Sequence, residues 1–442
     1  MQIHSWGRYP VTDATVYSPR SPSELRQLLL GPCTADSPTG TVFDGIARGL
    51  GRSYGDSALA ATIVQTRELD QLLAFDADTG LLTCAAGTSL DSILHCFTPR
   101  GWFLPVVPGT RFVSVGGAIA SDIHGKNHHL DGTFGQHVHS LRLLVPDGNI
   151  LNCSPGENST LFHATCGGMG LTGIIIDATI ALRHIPSSKI KQRTLRAQNL
   201  QEVMERFEAN AAVTYSVAWL DCLATGSGVG RSLLFLGEHA TDGLYKAPQR
   251  GGLGVPFNSP AFLLNRYSMG LFNNLYFHRP VNEQLTQTIE AGQYFFPLDS
   301  IAHWNRLYGS KGFLQYQFVV PDESALAAIS LVLKRSSAAG KGSFLSVLKK
   351  FGPANANLLS FPMQGYTLAM DFKFEKNLLP LLDQLDAIVL DHGGRLYLAK
   401  DARMTEATFK RGYPRWEELA KLRAASGAER MFNSLQSRRL GL

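Results

Sequence analysis

Short runs rich in β-branched and apolar side chains, each bounded by glycine or polar turns, fill the first part of the chain: Thr41–Asp44, Thr62–Thr66, Leu81–Ala86, Leu141–Val145 and Gly173–Leu182. Runs of this length and composition predict strands. Two segments carry the helical period instead. Ser21-Pro-Ser-Glu-Leu-Arg-Gln-Leu-Leu-Leu and Ser89-Leu-Asp-Ser-Ile-Leu-His each set a hydroxyl ahead of an early acidic residue and leucines at helical spacing, which predicts N-capped helices. After Pro186-Ser-Ser the elements lengthen: Leu200–Glu208 and Glu323–Lys334 predict helices, and Thr214–Leu220, Gly312–Val320, Gly342–Leu348 and Tyr366–Phe374 predict strands. Helices and antiparallel strands in that order suggest a sheet covered on one face. The stretch Gly251–Phe277 has Arg266 as its single charged residue among Gly, Pro, Asn and aromatics. It suits neither helix nor strand and reads as a long mobile loop, either a packed connector or an apolar flap over a greasy substrate. Beyond Lys400 a helical pattern returns in Thr408–Arg411 and Arg415–Arg423, a tail short enough to pack back on the first part. The fold class expected is α+β with two lobes.

Composition narrows the function class. A chain of 442 residues exceeds one small core and fits two to three domains of about 100–200 residues. A hydrophobic fraction of 44% with 17% charged residues belongs to an ordered globular protein. A net charge of +5 is mild for this length, so it allows anionic partners without pointing to nucleic acid. Cys33, Cys84, Cys96, Cys153, Cys166 and Cys222 are scattered without a Cys-x-x-Cys pair, so neither a disulfide framework nor a zinc site is expected. The start Met1-Gln-Ile-His-Ser-Trp-Gly-Arg lacks the pattern of a signal peptide, and no apolar run approaches a membrane span. A cytoplasmic protein is expected, with room for peripheral membrane contact.

The chemistry sits in two glycine-rich turns. The first reads Arg48-Gly-Leu-Gly-Arg-Ser-Tyr-Gly-Asp56, and the second runs from Pro108-Gly-Thr-Arg through Ser114-Val-Gly-Gly-Ala-Ile-Ala-Ser-Asp-Ile-His-Gly-Lys-Asn-His-His129. Two such turns, far apart in the chain, can wrap a long, bent, anionic ligand. Gly49, Gly51 and Gly55 let backbone approach a bulky group, and Arg52, Ser53 and free amides suit a pyrophosphate. Small side chains from Ser114 to Ser121 leave room for a ring system. The spacing misses the Gly-x-Gly-x-x-Gly of a nicotinamide fold. His128 and His129 lack a third ligand at metal spacing, so no metal site is expected.

These motifs, with Gly170-Leu-Thr-Gly-Ile-Ile, Trp304-Asn-Arg, Gly312-Phe-Leu-Gln-Tyr-Gln-Phe-Val and Leu398-Ala-Lys-Asp, resemble the vanillyl-alcohol oxidase/p-cresol methylhydroxylase superfamily of FAD enzymes. Within it they look like the decaprenylphosphoryl-β-D-ribose oxidase branch, and the likeness runs from Trp6 to the C-terminus. The resemblance implies an FAD domain of residues 1–188 completed by 395–442, and a substrate domain of 189–394. It places flavin contacts on Ala47, Arg48, Gly49, Leu50, Gly51, Arg52, Ser53, Tyr54 and Gly55 in the first turn. Further contacts fall on Gly109, Ser114, Val115, Gly116, Gly117, Ser121, Asp122, Ile123, His124, Ile176 and Tyr397. Many superfamily members tether FAD to a histidine in the first turn; here Arg52 and Ser53 fill that stretch, so noncovalent FAD is implied.

Oxidising a secondary alcohol removes a hydride from carbon and a proton from oxygen. On the resemblance, the Lys400 ammonium orients the sugar hydroxyl and stabilises alkoxide character. His124 either holds the substrate, helps pass the proton, or serves only as a structural hydrogen-bonding group, and Gln317 completes the catalytic set. Lys126, Asn305, Arg306, Gln315 and Lys349 match positions around the sugar and its phosphate. One departure stands out: in Gly365-Tyr-Thr-Leu-Ala-Met-Asp-Phe372, Ala369 takes the place of an active-site cysteine and Thr367 that of a polar amide, which bears on pocket shape. The implied reaction converts a polyprenyl-phosphate-linked pentose to its 2-keto form, half of an epimerisation completed by a short-chain NAD(P)H reductase partner. The alternatives are an aldonolactone or alditol oxidase on a small free sugar, and a flavin-binding protein without turnover.

Overall fold

A computed structural model describes residues 1–31, 43–249, 252, 254–260, 263–280 and 282–442. Cys33, Thr41, Val42, Gly251, Leu253, Ala261 and Phe262 therefore lie outside the described residues. The protein mixes helices with largely antiparallel sheets, an α+β arrangement.

Local chemistry sets the first elements. Ser21 Oγ accepts from the Glu24 amide at 3.2 Å and Ser89 Oγ from the Ser92 amide at 3.0 Å, satisfying donors left open where helices Pro22–Leu30 and Leu90–Phe97 begin. Ile46–Arg48 and Thr15–Tyr17 flank Thr62–Gln65 in a three-stranded parallel sheet. Five antiparallel strands follow in the order Ile150–Cys153, Val138–Leu144, Ile174–Ala181, Leu81–Ala85, Leu72–Asp76. Helix Val115–Ala120, built from the second glycine turn, packs against strand Ile174–Ala181.

The largest sheet has eight strands, ordered Gln284–Glu290, Lys189–Ala197, Ser232–His239, Tyr215–Leu220, Ser346–Phe351, Gly365–Lys373, Phe313–Val320 and Arg395–Leu396. Successive side chains in a strand point to opposite faces, and the two faces of this sheet differ. Leu314, Tyr316 and Phe318, with Leu368, Met370 and Phe372, join one core with Ile329 and Val332 of helix Asp322–Ala338 and Leu382 and Leu385 of helix Leu378–Asp391. The intervening residues, Gln315, Gln317, Thr367 and Lys349 among them, face a cavity.

Three elements differ from the sequence reading. Of the strand expected at Thr41–Asp44, the described residues Phe43 and Asp44 lie outside any strand, and the strand runs over Ile46–Arg48. The strand expected at Gly342–Leu348 runs instead over Ser346–Phe351, because Ser343 is held in a turn by its own hydroxyl and by Cys222 Sγ. The stretch Gly251–Phe277, expected to lack helix, contains helix Arg266–His278. Asn265 Oδ1 accepts from the amides of Tyr267 and Ser268 at 2.8 and 3.1 Å; this cap and tertiary packing outweigh the weak helix preference of Gly270, Asn273 and Asn274.

The C-terminal segment returns to the first glycine turn. Gly45 bridges Phe432, the Leu435 amide donates to the Leu59 carbonyl at 2.7 Å, and buried Arg423 donates to the carbonyls of Leu171 and Phe432. Cys84, Cys96, Cys153, Cys166 and Cys222 are free thiols. Among the described residues no helix is long and apolar enough to cross a membrane.

Candidate functional site

The two glycine turns and the polar face of the eight-stranded sheet enclose one cavity of about 750 Å³, large within the usual range of about 300–1,000 Å³ for ligand pockets. The turns meet because of their glycines. A Cβ on Gly49 would lie 2.0 Å from Ser114 Oγ, the atom that accepts from the Gly117 amide at 3.2 Å and caps helix Val115–Ala120. At Gly55 a Cβ would lie 1.6 Å from the Asp401 carbonyl oxygen, so this turn is seated on the backbone just beyond Lys400. The Tyr54 amide donates to the Ala399 carbonyl at 3.0 Å, and Arg439 pairs with both Asp56 and Asp401 at 2.7 and 2.8 Å.

From the two glycine turns and the segment before Lys400, the cavity is lined by Ala47, Gly49, Leu50, Gly51, Arg52, Ser53 and Tyr54, with Gly109, Ser114, Gly116, Gly117, Ser121, Ile123 and Tyr397. Arg52 lies 4.0 Å above the Trp6 ring, leaving its guanidinium edge for an anion. Beside Gly109 no atom lies within 4 Å of an added Cβ, and beside Gly117 only Ser114 Oγ does. These are places where a side chain would intrude into the cavity.

Opposite them stand titratable groups: Asp371 and Lys349 on the sheet, Lys400 in the turn after strand Arg395–Leu396, and Lys126 toward the end of the second glycine turn. Burial pushes the Lys400 amine down to about 7, Asp371 pulling it back up and Lys349 lowering it further. Its Nζ stands 3.9 Å from the Tyr54 ring centre. Asp371 is driven up to about 7 by burial, against the Gln315 hydrogen bond, Lys400 and Tyr308; Gln315 Nε2 donates to its Oδ1 at 2.6 Å. Lys349, also lowered by burial, sits at about 8. Lys126 is held well below its ordinary value by burial and then by Lys349, and donates to the carbonyls of Tyr294 and Phe295 at the end of helix Ala291–Phe295.

A hydrogen-bond chain sets the state of His124. Thr367 Oγ1 donates to the Phe318 carbonyl at 2.7 Å and therefore accepts from Gln317 Nε2 at 3.2 Å. That amide nitrogen, so oriented, donates to His124 Nε2 at 3.0 Å, which places the imidazole proton on Nδ1. Burial, then Lys349, His128 and Lys400, hold the imidazole far below its ordinary value and neutral. Nδ1 is buried without a protein partner among the described residues. Replacing Thr367 with Val frees the Gln317 amide to turn over. The expected result is a three- to tenfold fall in kcat, about the net worth of one hydrogen bond, with T367S near wild type; steady-state turnover of both variants checks it.

Of the residues expected in the site, seven do not line the cavity. Arg48 donates to the carbonyls of Ala58 and His4 behind the first turn, and Gly55 is packed on Asp401. Val115 and Ile176 are core residues. Asp122 is a buried hub accepting from the Gly135 amide, Asn355, Asn357 and Ser360. Asn305 donates to the Trp6 carbonyl, and Arg306 to those of Val255 and Pro256. They act on the site by holding its walls. Sequence reasoning missed Trp6, Thr66, Gln192, Trp219, Phe235, Tyr276, Gln287, Gln293 and Asp299, all lining the cavity. For the strand residues, alternation against an apolar face was the available signal. Among the described residues no group of three or more His, Cys, Asp or Glu is placed to hold a metal ion.

A family model for an FAD binding domain matches residues 42–154. Over the whole chain, the protein is 38% identical to decaprenylphosphoryl-beta-D-ribose oxidase of Mycolicibacterium smegmatis, covering 97% of that protein. The chain belongs to the decaprenylphosphoryl-β-D-ribose oxidase family. It is also 32% identical to an uncharacterized protein in the mprA 5' region of Streptomyces coelicolor, over 80% of this chain and all of that one. L-gulonolactone oxidase of Mus musculus is 24% identical over 48% of this chain and 46% of its own length.

As a member of the decaprenylphosphoryl-β-D-ribose oxidase family the chain is an FAD-dependent oxidoreductase. The cavity fits that cofactor. Arg52 and Ser53 would offer donors to its phosphates, Gly109 and Gly117 leave open space that a side chain would take up, and the buried Nδ1–H of His124 is a donor without a protein partner among the described residues.

Proposed function

We propose that this protein oxidises the 2-hydroxyl of a polyprenyl-phosphate-linked pentose to a ketone, with FAD held noncovalently. The reading divides the chain into two lobes: an FAD domain of residues 1–188 with 395–442, and a substrate domain of 189–394. Bound FAD supplies the acceptor for the hydride leaving carbon. Lys400 does the other half of the work. The sequence reading gave it an ammonium role, but an amine pushed to about 7 is substantially neutral near pH 7 and can take the hydroxyl proton on Nζ. Neutral His124 contributes Nδ1–H as a donor, because its Nε2 lone pair is occupied by Gln317.

The observation that carries the substrate class is a pair of buried lysines, Lys126 and Lys349, beside apolar Trp219, Phe235, Leu345 and Val347 in the lining of the cavity. Buried cations without a matching number of carboxylates are costly, and a phosphate offsets that cost while the apolar residues take a prenyl chain. Ala369, directly opposite Gln317 and Val347 in the sheet, leaves that wall without a nucleophile and is compatible with hydride removal. Coupling to a short-chain NAD(P)H reductase would complete an epimerisation at the oxidised carbon.

The test is anaerobic addition of candidate sugars to the flavin-loaded protein. Bleaching by a prenyl-phosphoryl pentose is expected, and bleaching by free alditols or aldonolactones alone would replace this reading with the free-sugar one. Phosphate binding should also raise the proton occupancy of Lys349, at about 8. Net proton uptake at pH 8 is therefore expected, measured by titration calorimetry in buffers of different ionisation enthalpy.

A further inference from the structure

Helix Arg266–His278 is apolar on two opposite faces. Met269, Asn273 and Phe277 point inward at helical spacing: Asn273 Nδ2 donates to Asp221 Oδ1 at 2.8 Å, and Phe277 packs with Trp219 and Leu233. Tyr267, Leu271 and Leu275 share the opposite stripe, exposed at 79, 63 and 64%, with Leu263 and Phe272 exposed beside them. Single exposed apolar residues are ordinary, but a contiguous exposed apolar stripe marks a surface that meets a partner or a membrane.

Charge selects between occupants. From Gly243 to Asn282 the sequence has no Asp or Glu, and Arg266 and Arg279 bracket the helix. An apolar stripe with basic ends and no acidic residue matches the interface of an anionic bilayer, where tyrosine and leucine enter the headgroup boundary. The helix also adjoins the cavity. Tyr276, whose ring centre is 4.7 Å from that of Trp219, and Arg279 line the same space as Lys349 and Lys400.

We propose that helix Arg266–His278 docks the protein on an anionic phospholipid surface through Tyr267, Leu271 and Leu275, so that a membrane-borne prenyl chain enters the cavity past Tyr276 and Trp219. The second half of this statement rests on the lipid-linked substrate reading; the docking does not. The test is flotation of the full FAD-loaded chain with vesicles of phosphatidylcholine containing 30% phosphatidylglycerol. Co-flotation is expected, at least about tenfold weaker for the triple variant Tyr267→Ser, Leu271→Gln, Leu275→Gln. Binding should weaken in 1 M salt, where charges are screened within about 3 Å, and with pure phosphatidylcholine.

The triple variant should turn over a water-soluble short-prenyl phosphopentose at the wild-type rate, which shows that its site is folded, while losing turnover of a long-prenyl substrate presented in vesicles. Equal flotation of wild type and variant, or sedimentation showing that this face pairs two copies while no vesicle is bound, would overturn the docking. Vesicle binding without bleaching by either prenyl substrate would uphold the docking and sink the substrate reading.

Discussion

Replacing Lys400 with Met is expected to lower kcat by about a thousandfold or more, within the range of about 10²–10⁴ for loss of a general base, while the protein stays folded and retains flavin. The amine lies against the Tyr54 ring at 3.9 Å and in the cavity where Gln317 and His124 stand. The pH profile carries the discriminating information. Lys400 accepts a proton only when neutral, so kcat/KM should climb as pH rises through about 7. Asp371 raises Lys400, so Asp371→Asn should move that limb to lower pH; the two buried groups titrate as a pair. Lys400→Arg, charged at every accessible pH, should be as inactive as Lys400→Met. Retained activity in the arginine variant, with a wild-type rate that falls as pH rises through about 7, would instead assign Lys400 the ammonium role.

Arg439→Met should cost about 3–5 kcal/mol of stability, the usual effect of removing one partner from a buried ion pair. Its guanidinium bridges Asp56 of the first glycine turn and Asp401 next to Lys400, both carboxylates being buried. The pH dependence has a definite sign. Burial raises Asp56 even with Arg439 present, and Arg439 lowers it, so removing the arginine raises the folded-state value further. A carboxyl raised in the folded state costs stability above that value and regains it on protonation. The gap between variant and wild type should therefore narrow as pH falls through the raised Asp56 titration, read from denaturant unfolding of the flavin-free proteins. Flavin release should accompany the loss, because the same bridge seats the first turn beside the cavity.

Much of the cavity lining from the two glycine turns was legible because its residues are neighbours in sequence. Gly49 through Tyr54 and Ser114 through His124 form continuous turns, and most of each run reaches the cavity. Even there, backbone geometry divides the run: Arg48 and Asp122 belong to the same motifs yet turn behind the wall, where they satisfy backbone carbonyls and loop amides. Helix Arg266–His278 escaped sequence reading because glycine and asparagine dilute its period; its cap and inward packing on Trp219 and Asp221 stabilise it in place.

By itself the sequence determined the two glycine turns, the helices capped by Ser21 and Ser89, and the membership of Lys400, His124 and Gln317 in recognisable motifs, since these depend on local spacing and residue chemistry. Tertiary structure alone decided the rest. How far burial lowers Lys400, where the imidazole proton sits, and that Gln192, Trp219 and Tyr276 meet the cavity follow from burial and from strand order in the eight-stranded sheet. Those are sums over groups distant in sequence, and no local pattern encodes them.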